Sequence, residues 1–133
     1  MMNKVFEFPI RVYYEDTDAE GIVYHSNYLN FAERARMEFL RSKNCLAEMK
    51  KDGERCGFVA RHVVLDYKQS AFLDDLLDVS CEIKEIKNSS VEIYQEIKRK
   101  GEVLCAITIT LVFINIVKHR PTRILDEMRQ KLA

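Results

Sequence analysis

The stretch Asn27-Tyr28-Leu29-Asn30-Phe31-Ala32-Glu33-Arg34-Ala35-Arg36-Met37-Glu38-Phe39-Leu40-Arg41 repeats its apolar side chains at helical spacing. Tyr28, Phe31, Ala32, Ala35, Phe39 and Leu40 follow the i, i+3, i+4, i+7 rule, while Glu33, Arg34, Arg36, Glu38 and Arg41 fall largely elsewhere. This is a helix with one apolar face, and Ser26 or Asn27 is expected to cap it with a short polar side chain. Upstream, Phe8, Ile10, Val12 and Tyr14 alternate with Pro9, Arg11 and Tyr13, the signature of a half-buried strand that Pro9 places at an edge or at its own start. Downstream, after a polar stretch through Lys51-Asp52-Gly53, four more strands are expected at about 57–67, 76–86, 91–99 and 102–117. Breaks at Asp74-Asp75, Lys87-Asn88-Ser89-Ser90 and Lys100-Gly101 are short, so the last three strands should form an antiparallel meander. Pro121 should open a short C-terminal helix with Ile124, Leu125, Met128 and Leu132 on one side. Strand, helix, then four strands is an α+β layout: one long helix on the concave face of a five-stranded antiparallel sheet. One helix cannot cover both faces and edges of such a sheet, so a symmetric dimer is the simplest way to bury the remainder.

With 133 residues, 47% hydrophobic and 32% charged, the sequence suits one domain over residues 1–133, with no linker or solenoid repeat. Lys and Arg number 21 and so do Asp and Glu, which removes the broad positive field of a nucleic-acid binder. Lys98-Arg99-Lys100 and Lys118-His119-Arg120 with Arg123 remain as local basic groups, each read first as a solvated face. Met1 to Ile10 lacks the apolar stretch and cleavage site of a secretory signal, and the most apolar run, Val103 to Val117, is interrupted by Thr108, Thr110 and Asn115. The expectation is a soluble cytoplasmic protein without a transmembrane segment. Cys45, Cys56, Cys81 and Cys105 form no Cys-x-x-Cys pair and have no regular His partner, so buried free thiols are expected rather than a disulfide framework or a metal site.

Chemistry concentrates in Asp16-Thr17-Asp18-Ala19-Glu20-Gly21-Ile22-Val23-Tyr24-His25-Ser26, which places two Asp, a Gly turn and a His just before the helix. A carboxylate on such a loop can face the unsatisfied N–H groups of a helix start, setting a base or nucleophile against an anion-stabilising site. No Gly-x-Ser-x-Gly elbow exists for a Ser-His-Asp hydrolase, and no phosphate-binding Gly loop appears.

The segment Tyr13 to Arg36 resembles the hot-dog-fold acyl-CoA thioesterases of the 4-hydroxybenzoyl-CoA thioesterase family, in particular the Tol-Pal-associated, YbgC-type members. Through Phe58-Val59-Ala60-Arg61, Leu65-Asp66-Tyr67 and Leu73-Asp74-Asp75 the resemblance continues to about Pro121. It implies a hot-dog domain whose dimers form one continuous sheet and often pair into tetramers, with the active site between subunits. It also implies that Asp18, the second Asp of the Asp-x-Asp pattern, is catalytic, and that the His25 amide polarises the thioester carbonyl. Chemically, Asp18 can take a proton from water or attack the carbonyl to give a mixed anhydride, and both routes stay open. A thioester needs little general-acid help, because its leaving thiol has a pKa of about 8.5. The His25 side chain is a second catalytic candidate or a partly exposed cap; Glu15 and Asp16 are read first as strand-end carboxylates. Tyr24 and Asn27 are candidates for contacting the acyl group or carbonyl, with Tyr28 assigned to the core. For coenzyme A, Lys87, Ser89 and Ser90 of the hairpin offer cationic and hydroxyl contacts, with Arg61 as a second source, and the resemblance puts this turn in the CoA-binding region. Phe31, Phe39, Phe58 and Phe72 either line an acyl pocket or fill the core. CoA enters as part of the acyl-CoA substrate and no separate cofactor is expected. Acyl carrier protein or lipid-synthesis proteins are further expected partners. The competing readings are a hot-dog dehydratase, which would need a His with an acidic partner, and a non-catalytic acyl-CoA or acyl-carrier-protein binding or scaffold protein of envelope lipid metabolism.

Overall fold

The computed structural model describes residues 5–46 and 49–133. Strand β1 (Phe6–Arg11) leads through a 3-10 turn at Tyr14–Asp16 and the acidic loop into helix α1 (Asn27–Ser42). There follow β2 (Lys50–Lys51), β3 (Glu54–Tyr67), β4 (Leu76–Ile86), β5 (Ser90–Arg99), β6 (Glu102–Asn115), β7 (Arg120–Pro121) and helix α2 (Asp126–Leu132). The α+β order is the expected one, but the sheet has seven strands in place of five. Its order is β1-β4-β5-β6-β3-β2, with β7 added beside β6.

The two additional strands are two residues each and correct the expected boundaries. Arg120 and Pro121 pair with Asn115 and Ile114 instead of opening a helix, and α2 begins only at Asp126. A proline without an N–H can sit on such a short edge strand. Pro9 also lies at an edge, since among the described residues β1 has β4 as its one strand neighbour and Pro9 stands opposite Asp78. The meander β4-β5-β6 forms as its short turns require. Lys100 (φ 51°) and Gly101 (φ 81°) both take left-handed backbone, as a two-residue hairpin turn demands.

Helix α1 turns Tyr28, Phe31, Ala32, Ala35 and Phe39 into the core. Both alanines are fully buried, and α1 packs against β4 and β5 in one core with Leu77, Val79, Ile93 and Ile97. Polar side chains also enter this layer: Gln95 is fully buried, donates from Nε2 to the Ala32 carbonyl at 2.9 Å and accepts from Arg36 Nη1 at 3.1 Å. That pairing removes the desolvation cost of the amide and pins the middle of α1 over β5. All four cysteines are buried free thiols. Phe31, Phe39 and Phe113 are core residues, Phe58 packs on Phe113 at 5.1 Å between ring centroids, and Phe72 is exposed.

Candidate active site at the start of helix α1

The acidic loop is a small hairpin strapped to the chain around Ala71. Thr17 bridges to Val23 and Ile22 to Phe72, Val23 N–H donates to Ala71 O at 2.9 Å, and Leu73 N–H donates to Gly21 O at 2.9 Å. Gly21 takes φ 78°, a conformation that strains any side-chain-bearing residue, and its N–H closes the turn onto Asp18 O at 3.1 Å.

Asp16 and Asp18, two residues apart, meet opposite fates. Asp16 is 3% exposed: Oδ2 accepts the Tyr13 N–H at 2.8 Å and Oδ1 accepts the Asn27 side-chain amide at 2.7 Å. Its backbone carbonyl also accepts Tyr24 N–H at 3.0 Å. Asp16 therefore joins the strand end, the loop and the first residue of α1. Asp18 is exposed; its Oδ1 accepts the N–H groups of Glu20 at 2.9 Å and Ile22 at 3.3 Å, which orients the carboxylate.

Neither expected cap forms at the helix start. Ser26 makes no side-chain capping bond and already has helical backbone, and Asn27 spends its amide on Asp16 while its Oδ1 accepts from Asn30 at 2.7 Å. The N–H groups of His25 and Ser26 donate to no acceptor among the described residues. Unsatisfied donors at a helix start favour negative charge.

Asp18, Tyr24 and His25 line one open cleft of about 470 Å³, together with Ile22, Val23, Tyr28, Tyr67, Lys68, Gln69 and Ser70. The His25 ring packs on Tyr24 with centroids 4.5 Å apart. Asn27 is not among the lining residues. Tyr67, Lys68, Gln69 and Ser70 also line the cleft, although none was among the site candidates read from the sequence. Tyr28 is buried and its hydroxyl accepts Ala71 N–H at 2.9 Å; burial, ahead of the neighbouring groups, pushes its pKa up.

Arg61, Lys87 and Ser90 gather elsewhere, around a cavity of about 50 Å³ shared with Glu85, Glu92 and Thr110. Arg61 is the residue skipped in the β3–β6 register between Ala60 and His62, so a bulge frees it from the ladder. Two carboxylates line the same cavity and temper its positive charge. Ser89 lies beside it in the hairpin, with its carbonyl accepting Phe113 N–H at 2.7 Å. The C-terminal segment clamps this turn: Arg129 Nη2 donates to the Lys87 and Asn88 carbonyls, and Arg123 Nη1 donates to Asn88 Oδ1 at 2.9 Å. Within one chain the hairpin cavity and the acidic-loop cleft stand well apart. Arg61 and Tyr67 are separated along β3 by roughly 20 Å at about 3.3 Å per residue.

Residues 12–132 match the model of the thioesterase-like superfamily. The chain belongs to that superfamily. Among its relatives, the acyl-CoA thioesterase YbgC of Haemophilus influenzae is 38% identical over 129 residues, covering 97% of this chain and 95% of that protein. The acyl-CoA thioester hydrolase YbgC of Escherichia coli is 37% identical over 122 residues, covering 91% of this chain and 90% of that one. A solved probable thioesterase from Bartonella henselae superposes with a TM-score of 0.83 at 32% identity, over 92% of this chain and all of the other. For this thioesterase-like chain the α+β fold is thus the hot-dog arrangement of its neighbours, and the likeness to YbgC proteins runs through both the cleft and the hairpin.

Proposed function

We propose that this protein hydrolyses acyl-CoA to free acid and CoA, with Asp18 as general base or nucleophile. The observation that carries the reading is that the Asp18 carboxylate lines the same cleft as His25, whose N–H, just before α1, has no acceptor among the described residues. A thioester carbonyl seated on that N–H develops negative charge as it is attacked, and the helix start offers it donors together with the positive end of the dipole. Either Asp18 takes a proton from a water that adds to the carbonyl carbon, or Asp18 itself adds; collapse of the tetrahedral species breaks the C–S bond and expels the CoA thiolate. The first route gives the free acid directly, and the second leaves a mixed anhydride on Asp18 that water hydrolyses to release the acid and restore the carboxylate. Charge on the leaving sulfur is tolerable without an acid, so no further cofactor enters. The His25 ring, packed on Tyr24, lies at the cleft rim and is assigned to orienting water or substrate. His25 has no carboxylate hydrogen-bonded to it among the described residues, which favours hydrolysis over a dehydratase.

The CoA end is assigned to Arg61, Lys87, Ser89 and Ser90 of a second copy. From Gly57 to Tyr67 one edge of β3 has no strand neighbour among the described residues, and an edge of that length is open to pairing. Antiparallel pairing about a two-fold axis near Val64 sets residue 61 of one copy opposite residue 67 of the other. The cavity on one chain then stands beside the cleft on its partner, and two such dimers give a tetramer. A cytoplasmic location is part of the same reading; no helix among the described residues is long and apolar enough to cross a membrane.

The test is CoA release from short-chain, long-chain and hydroxybenzoyl-CoA by wild type and Asp18→Asn, corrected for the four protein thiols. Loss of about 10²–10⁴ in kcat by a folded variant is expected. Equal rates remove Asp18 from the chemistry, and binding without turnover on every substrate favours an acyl-CoA-binding protein.

A further inference from the structure

Tyr67 closes β3 on the wall of the cleft, and its hydroxyl donates to the His25 carbonyl at 2.8 Å. Its ring meets Tyr28 edge-on with centroids 5.5 Å apart, and Tyr28 is itself fixed by the Ala71 N–H. The His25 carbonyl belongs to the peptide whose N–H is that of Ser26. The preceding peptide joins the Tyr24 carbonyl to the His25 N–H, and that carbonyl accepts Asn27 N–H at 2.9 Å. Two successive N–H groups with no acceptor among the described residues therefore each belong to a peptide whose oxygen is hydrogen-bonded. A bond to the oxygen draws electron density away from the nitrogen and makes the N–H a stronger donor, by about 10–30% per link in a chain.

We propose that Tyr67 is a positioning residue of the thioester site: its hydroxyl holds and polarises the His25–Ser26 peptide, so that Ser26 N–H joins His25 N–H in stabilising the oxyanion. The inference rests on the thioesterase reading above and adds a residue to it. Burial pushes the Tyr67 pKa up, which keeps the hydroxyl a donor through the neutral range. The second donor's alignment is set from the sheet, so the site senses how β3 sits against the start of α1.

The experiment compares wild type with Tyr67→Phe, which removes one oxygen. Steady-state rates on acyl-CoA are read beside the infrared carbonyl stretch of a bound acyl-CoA ketone analogue carrying CH2 in place of sulfur. In the variant, kcat is expected to fall about tenfold, less than the 10²–10³ of a deleted donor, with KM within twofold and a smaller red shift of the carbonyl. An unchanged kcat and an unchanged stretch overturn the proposal. Should Tyr67→Phe fail to fold, site-specific 3-fluorotyrosine at position 67 keeps the ring and strengthens the donor. It is expected to hold kcat at or above wild type and to deepen the red shift; a shallower shift overturns the proposal. Wild type that turns over no acyl-CoA and leaves the analogue at its solvent frequency overturns the thioesterase reading itself. Turnover and a red shift in wild type that Tyr67→Phe leaves intact reject Tyr67 alone.

Discussion

At the scale of single residues, two carboxylates in one short loop differ through their hydrogen bonds. Asp16 is buried with both oxygens occupied, by the Tyr13 N–H at 2.8 Å and the Asn27 amide at 2.7 Å, whereas Asp18 stands exposed at the cleft. Replacing Asp16 with Ala strands both donors, and the expected cost is about 3 kcal/mol, since bonds to a charged group are the stronger kind. Urea unfolding would measure it; a loss below about 1 kcal/mol would mean that the loop and helix start hold together without Asp16. Because Asp16 also fixes where α1 begins, kcat should drop even in Asp16→Asn, which keeps the shape. The Asp-x-Asp pattern and the Gly turn made this loop legible, but the division of labour between the carboxylates depends on Asn27, eleven residues further along the chain from Asp16. Tyr67 was not legible as a site residue: its partner is a backbone carbonyl 42 residues away, and a backbone acceptor leaves no mark on composition.

At the scale of elements, the periodicity of α1 and the boundaries of β4 could be read from the sequence because local pattern and burial agree there. Elements set by pairing could not: β7 exists because Asn115 and Ile114 offer a ladder to Arg120 and Pro121. The core faces of β4 and β6 also carry a titration hidden from the sequence. Cys81 on β4 and Cys105 on β6 are both pushed up to about 12, chiefly by burial, from 9.0. A folded pKa raised above the unfolded one means that the native state keeps protons the unfolded chain has lost. Stability from these thiols is therefore complete below about pH 9 and declines as pH rises toward 12, by roughly 1.4 kcal/mol per pH unit for each thiol. Urea midpoints taken from pH 8 to 11 should fall accordingly, and Cys81→Ala and Cys105→Ala should each make the fall shallower. A flat profile would show that the thiols ionise in the folded state.

For the whole molecule, the open edge of β3 is the feature that one chain leaves unresolved energetically. Val59, Val64 and Tyr67 are exposed on a strand whose outer edge, beyond the Cys56 N–H bonded to the Met49 carbonyl, has no partner strand among the described residues, an arrangement that invites association. The sheet layout alone led to a second copy. The proposed placement of the CoA end on the hairpin cavity is consistent with it, because antiparallel pairing of two β3 strands would bring the cavity of one copy beside the cleft of the other. Val64→Lys, at the proposed two-fold axis, would set two like charges side by side and should convert dimers or tetramers to monomers, as read by light scattering at micromolar concentration. The monomer should remain folded, since Val64 is half exposed and absent from the core. Its KM for acyl-CoA should rise at least tenfold, because Arg61 and Lys87 of the partner are lost, while a pantetheine thioester that carries no nucleotide should bind as before. A monomeric variant with unaltered KM for acyl-CoA would place the whole substrate on one chain and move the CoA contacts to Lys68, Gln69 and Ser70 of the cleft itself.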